Sequence, residues 1–257
     1  MRIVVLVKEV PDTYADRRLD LETGLADRAA SDRVLDEIGE RATEAAVAYA
    51  ESHPDTEVVL LSVGPDSVPA TLRKGLAMGA TSAVHVLDDA MLGADLTLTA
   101  EVLAAAIERI GFDVVIAGNQ STDGSGGVIP AMIAERLGVP HATSMRTVEL
   151  SDGEVRGERA SDEGTMRVSA PLPAVVSITE ALPDARFPNF KGIMAAKKKP
   201  FETLTLADLG VDPDALTPRS IITAVAEKPA RQAGVKITDE GDAAEQLAQF
   251  LVQNRLV

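Results

Sequence analysis

Between Phe112 and Gly138 the chain reads FDVVIAGNQSTDGSGGVIPAMIAERLG. The apolar run Val114–Ala117 stops at a stretch of Gly, Ser, Thr and Asp, and a helix-like pattern follows it. In an open α/β sheet, ligands sit at the carboxyl ends of strands, near helix N-termini. Free N–H groups and the helix dipole at such a place favour an anion. Gly124, Gly126 and Gly127 allow the main chain close to a phosphate, and Ser121, Thr122 and Ser125 offer hydroxyl donors. The stretch is neither a Walker A loop, having no Gly-Lys-Ser/Thr, nor a G-x-G-x-x-G fingerprint. Taken alone it stands open between a phosphate seat and a solvent-exposed turn. Asp123 reads as a turn or cap residue rather than an acid catalyst.

Little else in the sequence suggests bond-making chemistry. There is no cysteine among the 257 residues, which excludes disulfides, thiolate metal sites and a Cys nucleophile. His53, His85 and His141 are scattered without ligand spacing, so no metal site is expected, and each reads as a strand-end or surface residue. A net charge of −15 argues against nonspecific binding to nucleic acid or anionic membranes. Arg outnumbers Lys 17 to 8, and with abundant Asp this gives the balance of a salt-adapted protein; an ordinary acidic cytosolic protein is the alternative. No apolar run approaches the ~20 residues that cross a bilayer. The opening RIVVLV is too short for a signal-peptide core, and a cytoplasmic location is expected.

The elements that must position the loop follow from periodicity. Ile3–Val7, Val58–Val63, Ala83–Val86 and Val114–Ala117 are nearly continuous aliphatic runs, as expected of parallel strands covered on both faces. Helical patterns separate them over Glu37–Ala50, Ser67–Met78 with Asp66 as its cap, and Asp95–Ile110 between Asp95 and Gly111. Helix-length crossovers between short buried strands imply an α/β fold with a doubly wound, mostly parallel sheet. After Pro140 the pattern turns β-prone around SDGE and SDEG, an antiparallel ribbon followed by a strand at Ala174–Ile178. LPDARFPNFKGIMAAKKKP reads as irregular. The tail from Phe201 ends in an amphipathic helix, Ala243–Val252, and has too few apolar residues for its own core. The expected division is an α/β domain over 1–200 and a wrapping C-terminal arm over 201–257.

Six segments change the odds for the loop. LVKEVPDT (Leu6–Thr13), LSVGP (Leu61–Pro65), LRKGLAMGA (Leu72–Ala80), AGNQSTDG (Ala117–Gly124), KGIMAAKKKP (Lys191–Pro200) and DLGVDP (Asp208–Pro213) occur in this order. Together they resemble the β subunit of electron-transfer flavoprotein, the FixA family, over nearly the whole chain. The resemblance implies a Rossmann-like adenine-nucleotide-binding fold and a heterodimer with an α subunit. In that family the α subunit holds most of a redox FAD, and the β subunit buries AMP. Electrons pass between dehydrogenases and a membrane quinone reductase, and the β subunit supplies no catalytic acid or base.

Carried over by the resemblance, the AMP pocket is lined by Leu6, by Asp36, Glu37, Ile38 and Gly39, by Val63, and by the loop itself. The loop contributes Gly118, Asn119, Gln120, Ser121, Thr122, Asp123, Gly124, Ser125, Gly126, Gly127, Val128 and Ile129. Two departures stand out. The family often has Asn-Pro near Asp36 and Glu37, and Gln followed by Thr or Val and then Gly where this chain has Val128, Ile129 and Pro130. Side-chain bonds from those positions are lost, while backbone N–H bonds from Gly126 to Ile129 remain available. Electron-bifurcating relatives bind a second FAD in place of AMP, marked by a GADTxATS-like stretch. Here Gly93–Ala100 reads GADLTLTA, which keeps Gly93, Ala94, Asp95 and Thr99. A helix N-terminus explains Asp95 and Thr97 equally well, and AMP is the preferred reading.

RFPNFKGIMAAKKKP, within 181–200, resembles the loop that grips partner dehydrogenases. The resemblance implies Phe190 as the docking anchor, with Ile193 and Met194 beside it and Lys197, Lys198 and Lys199 as a basic run. A core Phe under the loop is the alternative. From another functional class, a nucleotide-binding regulatory module of the universal-stress type shares the α/β fold, but such modules lack the GIMAAKKKP segment and the tail.

Overall fold

The computed structural model describes all residues except 152, 216–218 and 232–233. Asp152 of the SDGE turn and Leu216, Thr217 and Pro218 of the tail therefore lie outside the described residues. The first strand, β1 (Arg2–Leu6), leads into a short antiparallel pair, β2 (Glu9–Pro11) and β3 (Arg33–Leu35). Next come α1 (Glu37–Ser52), β4 (Glu57–Val63), α2 (Val68–Met78), β5 (Ser82–Val86), α3 (Leu96–Ile110), β6 (Val114–Gly118) and α4 (Ile129–Leu137). The ribbon β7 (His141–Ser151), β8 (Glu154–Ser161) and β9 (Gly164–Pro171) precedes β10 (Ala174–Ile178). The chain continues through α5 (Phe190–Ala196) and β11 (Phe201–Leu204), and its last helix is α6 (Ala243–Gln253).

Among the described residues, a nine-stranded sheet runs β11-β5-β4-β1-β6-β10-β7-β8-β9. The pairs from β11 through β10 to β7 are parallel, and β8 and β9 add antiparallel strands at one edge. The expected α/β class and mostly parallel sheet are thus present. Successive strand residues point to opposite faces, so Ile3 and Val5 join one core cluster and Val4 the other. Val114 and Ile116 lie with α1 and α2, and Val115 with α3 and α4. Burial on both faces is why these strands read as unbroken aliphatic runs.

Several local expectations change. Asp66 does not cap α2: Ser67 stands at the N-cap, and its hydroxyl donates to Glu9 instead. Of the two readings for His85, strand end and surface, the first holds: it is the penultimate residue of β5, fully buried, with Nε2 against the Gly64 carbonyl at 2.9 Å. The stretch after Ala181 is not wholly irregular, because Asn189 caps α5 by accepting from the Gly192 amide at 2.8 Å. The residues after Phe201 divide differently from the expected arm. β11 pairs with β5, and Leu204, Leu206 and Val211 are buried in the core. The compact unit containing the sheet spans Met1–Thr223, and a second unit spans Ala224–Val257. In that second unit α6 exposes Leu247, Phe250 and Val252. No helix among the described residues is long and apolar enough to cross a membrane.

Candidate functional site

The sheet order places β4, β1 and β6 side by side, so Val63, Leu6 and Gly118 mark the carboxyl ends of three adjacent strands. The start of α1 fits against two of those ends. The Asp36 amide donates to the Lys8 carbonyl at 2.9 Å, and a side chain on Gly39 would meet Val7 at 3.6 Å. At Gly118 there is no room for a side chain, since a Cβ would stand 2.5 Å from Ile38 Cγ2. The four segments expected from sequence are therefore neighbours, with Gly118 serving close packing of β6 on α1.

The loop after β6 is held by its own bonds. Asn119 N donates to the Ile178 carbonyl at 2.8 Å, Thr122 N to Asp36 Oδ2 at 2.9 Å, and Ser125 N to the Ser121 carbonyl at 2.9 Å. Ser125 and Gly127 adopt left-handed backbone, with φ of 49° and 67°. Among the described residues no acceptor is paired with the amides of Gly126, Gly127 or Val128. Val128 stands at the N-cap of α4 and offers no side-chain cap. The helix thus opens with unfilled donors, which an anion can satisfy.

Charge at the loop is organised around Asp123. Its Oδ1 lies 2.7 Å from Lys8 Nζ and its Oδ2 2.8 Å from Arg28 Nη2; Lys8 also donates to Ser121 Oγ at 3.3 Å. Burial alone would push the Asp123 carboxyl up, but the Lys8 hydrogen bond and charge, with Ser121 and Arg28, hold it well below the usual carboxylate range. Asp123 is therefore an ion-pair hub as well as a turn residue, accepting also from the Gly124 amide. Asp36 behaves oppositely: burial raises its pKa, against the Thr122 and Ile38 amides. Its Oδ1 and the Thr122 hydroxyl oxygen are buried without a well-formed hydrogen bond. Lys8 lies in a segment quoted for the resemblance, but nothing in its spacing showed that it would meet Asp123. Arg28 had no sequence signal at all, because a long excursion separates it from the sheet.

Asp95, the residue relevant to a second flavin, is occupied by structure. Oδ1 accepts from Leu98 N at 2.9 Å, capping α3, and Oδ2 accepts from Arg219 N at 2.7 Å and Ser220 N at 3.2 Å. Thr99 Oγ1 donates back to the Asp95 carbonyl at 2.8 Å.

At the other expected site, Phe190 is 79% exposed, which excludes the core reading. Ile193 and Met194, three and four residues on, share its helix face and are exposed too. Phe187, missed from sequence, is 95% exposed just before α5. A hollow of about 550 Å³ opens between α2 and α5, lined in part by Arg73, Lys74, Pro188, Ile193 and Lys197. Lys197 and Lys198 are exposed, whereas Lys199 is turned inward. Its ammonium donates to the carbonyls of Leu76 (2.8 Å) and Ala80 (2.5 Å), closing the end of α2, and burial lowers its pKa. Among the described residues no cluster of His, Cys, Asp and Glu could hold a metal ion.

Comparison with known proteins agrees with this architecture. Residues 23–209 match the electron transfer flavoprotein domain. The chain is 48% identical to the electron transfer flavoprotein subunit beta of Mycobacterium leprae, over 99% of both chains. It is 46% identical to the subunit of the same name from Mycobacterium bovis, again over 99% of each. It is also 33% identical to the caffeyl-CoA reductase-Etf complex subunit CarD of Acetobacterium woodii, over 84% of this chain and 82% of that one. With a matched domain over most of its length and near-complete alignment to these relatives, the chain belongs to the electron transfer flavoprotein β-subunit family.

Proposed function

We propose that the chain works as the non-catalytic half of a heterodimeric electron carrier and holds AMP at the loop of residues 118–129. The observation that supports this most is the run of free amides at Gly126, Gly127 and Val128, opening an uncapped α4 beside the ends of β1 and β4. A phosphate there would accept from the amides and meet the positive end of the helix dipole. Leu6, Val63 and the Asp36–Gly39 turn would frame the rest of the nucleotide. AMP is favoured over a second FAD because Asp95 and Thr99 are already used in capping α3 and tying down residues 219–220.

In this reading an α subunit holds most of the redox FAD, and the present chain shapes and docks it. Phe190, Ile193 and Met194 form the apolar face offered to dehydrogenases, with Lys197 and Lys198 steering an acidic patch. Lys199 serves the same surface indirectly, by fixing the end of α5 onto α2. The second unit, Ala224–Val257 with α6, would lie on the α subunit, and electrons would leave towards a membrane quinone reductase. Co-expression with the α subunit should give a 1:1 complex whose flavin is reduced by a dehydrogenase and its substrate. A β chain that binds flavin and carries electrons fully on its own would contradict the proposal.

A further inference from the structure

The β2–β3 pair is closed at its base by Pro11 opposite Arg33 and by the Asp12 amide on the Asp32 carbonyl at 2.8 Å. Beyond that base, residues 12–32 form an excursion without a buried residue. It is ordered by its own polar turn. Asp20 gathers the amides of Glu22 and Thr23 at 2.9 and 2.7 Å, and Leu19 bridges Ala26. Apolar packing therefore does not fix where the excursion lies. Side chains do, at few points. Arg28 Nη2 reaches Asp123 Oδ2 at 2.8 Å, and Nη1 reaches the Glu9 carbonyl at 3.3 Å. Leu25 lies where a side chain on Gly93 would touch it, at 3.6 Å.

Glu9 lies in β2 at the base of the excursion, whereas Asp123 belongs to the loop after β6 and Gly93 to the loop after β5. In the sheet, β4 and β1 lie between these two strands, so the excursion lies across the strand ends where Val63 and Leu6 stand. Glu9, under the Arg28 contact, is itself fixed, since its buried carboxylate takes the hydroxyls of Ser67 and Thr71. Asp123 keeps Lys8 as a second cation. Loss of the Arg28 side-chain bonds would therefore part the excursion from the loop, with Arg33 Nε still on the Arg28 carbonyl at 3.1 Å and the loop still anchored by Lys8, giving two states without unfolding the domain.

We propose that residues 12–32 are a latch over the nucleotide loop, closed by Arg28 on Asp123, and that this latch sets how fast a bound nucleotide leaves. The inference rests on the nucleotide reading of the loop given above. Arg28 acts as a positioning residue, through Asp123. Lys8 holds the loop in both latch states.

The test uses the α/β complex loaded with radiolabelled AMP and chased with excess unlabelled AMP. Arg28→Gln should release AMP at least tenfold faster than the unaltered complex, and Arg28→Lys should restore most of the retention. The melting temperature of the nucleotide-free complex should hardly move in either, because residues 12–32 include no buried residue and Asp123 keeps Lys8 as a partner. Trypsin provides a readout independent of nucleotide, since cleavage at Arg17 and Arg18 should be faster in Arg28→Gln with or without AMP. Release at the unaltered rate from an AMP-loaded Arg28→Gln complex overturns the latch, whatever its melting temperature. An unaltered complex that retains no AMP overturns the nucleotide reading itself, and the latch falls with it.

Discussion

Arg186 Nε lies 2.8 Å from Glu44 Oε2, and Nη2 of the same guanidinium lies 2.8 Å from Glu44 Oε1. Glu51, two turns further along α1, takes the remaining donors. Arg41, from the same helix, reaches back to the Leu182 carbonyl and to Asp184. Residues 182–186 are thus fastened to α1 from both sides before Phe187 and Phe190 emerge. An exposed aromatic on a fixed segment loses less conformational freedom on docking than one on a loose loop.

This clamp should have a measurable pH signature. Glu44 is held below its usual pKa first by the Arg186 hydrogen bonds, against burial. A depressed carboxylate stabilises the fold fully above its unfolded pKa, about 4.3, and that stabilisation is lost as pH falls through the lower folded value. Arg186→Gln should cost about 1–2 kcal/mol near pH 7, the modest figure reflecting a guanidinium about a third exposed. In urea unfolding, the gap between the variant and the unaltered protein should narrow as pH drops below about 4. A gap that stays constant with pH would mean the clamp acts through packing alone.

Phe190→Ala separates docking from folding. The side chain is exposed in the free chain, so the melting temperature of the α/β complex should hardly move. An anchoring aromatic is worth ~2 kcal/mol or more, roughly a 30-fold loss of partner affinity. Flavin reduction by a dehydrogenase at limiting carrier should fall accordingly. Unchanged electron transfer would assign the anchor elsewhere, with the neighbouring Phe187 as the next candidate.

How much was legible in sequence depended on what kind of signal each element carried. The buried strands were readable because burial on both faces leaves unbroken aliphatic runs such as Val114–Ala117. Asp95 was readable as a cap because its side chain acts locally, on Leu98. Asp66 failed as a cap because the neighbouring Ser67 took the N-cap position and gave its hydroxyl to the distant Glu9. The same kind of long-range pairing hid the latch: Arg28 and Asp123 are 95 positions apart, and no periodicity links them. Lys199 misled for the opposite reason. Three consecutive lysines look equally exposed in a sequence, yet the fold turns the last onto the carbonyls of Leu76 and Ala80. The loop's composition was plain from the start, but its free amides depend on which donors the fold leaves unpaired.

The most direct test of the nucleotide site is the adenine nucleotide content of the purified α/β complex, with and without Gly126→Val. A Cβ at Gly126 would meet only the side chain of Leu96, at 3.6 Å, so the domain itself has room for the substitution. Acid release followed by chromatography should give one AMP and one FAD per unaltered heterodimer. In Gly126→Val the FAD and the melting temperature should persist while AMP falls at least tenfold, because the new side chain stands between the loop backbone and the phosphate. Full AMP occupancy in Gly126→Val, or an unaltered complex holding FAD without AMP, would contradict the account.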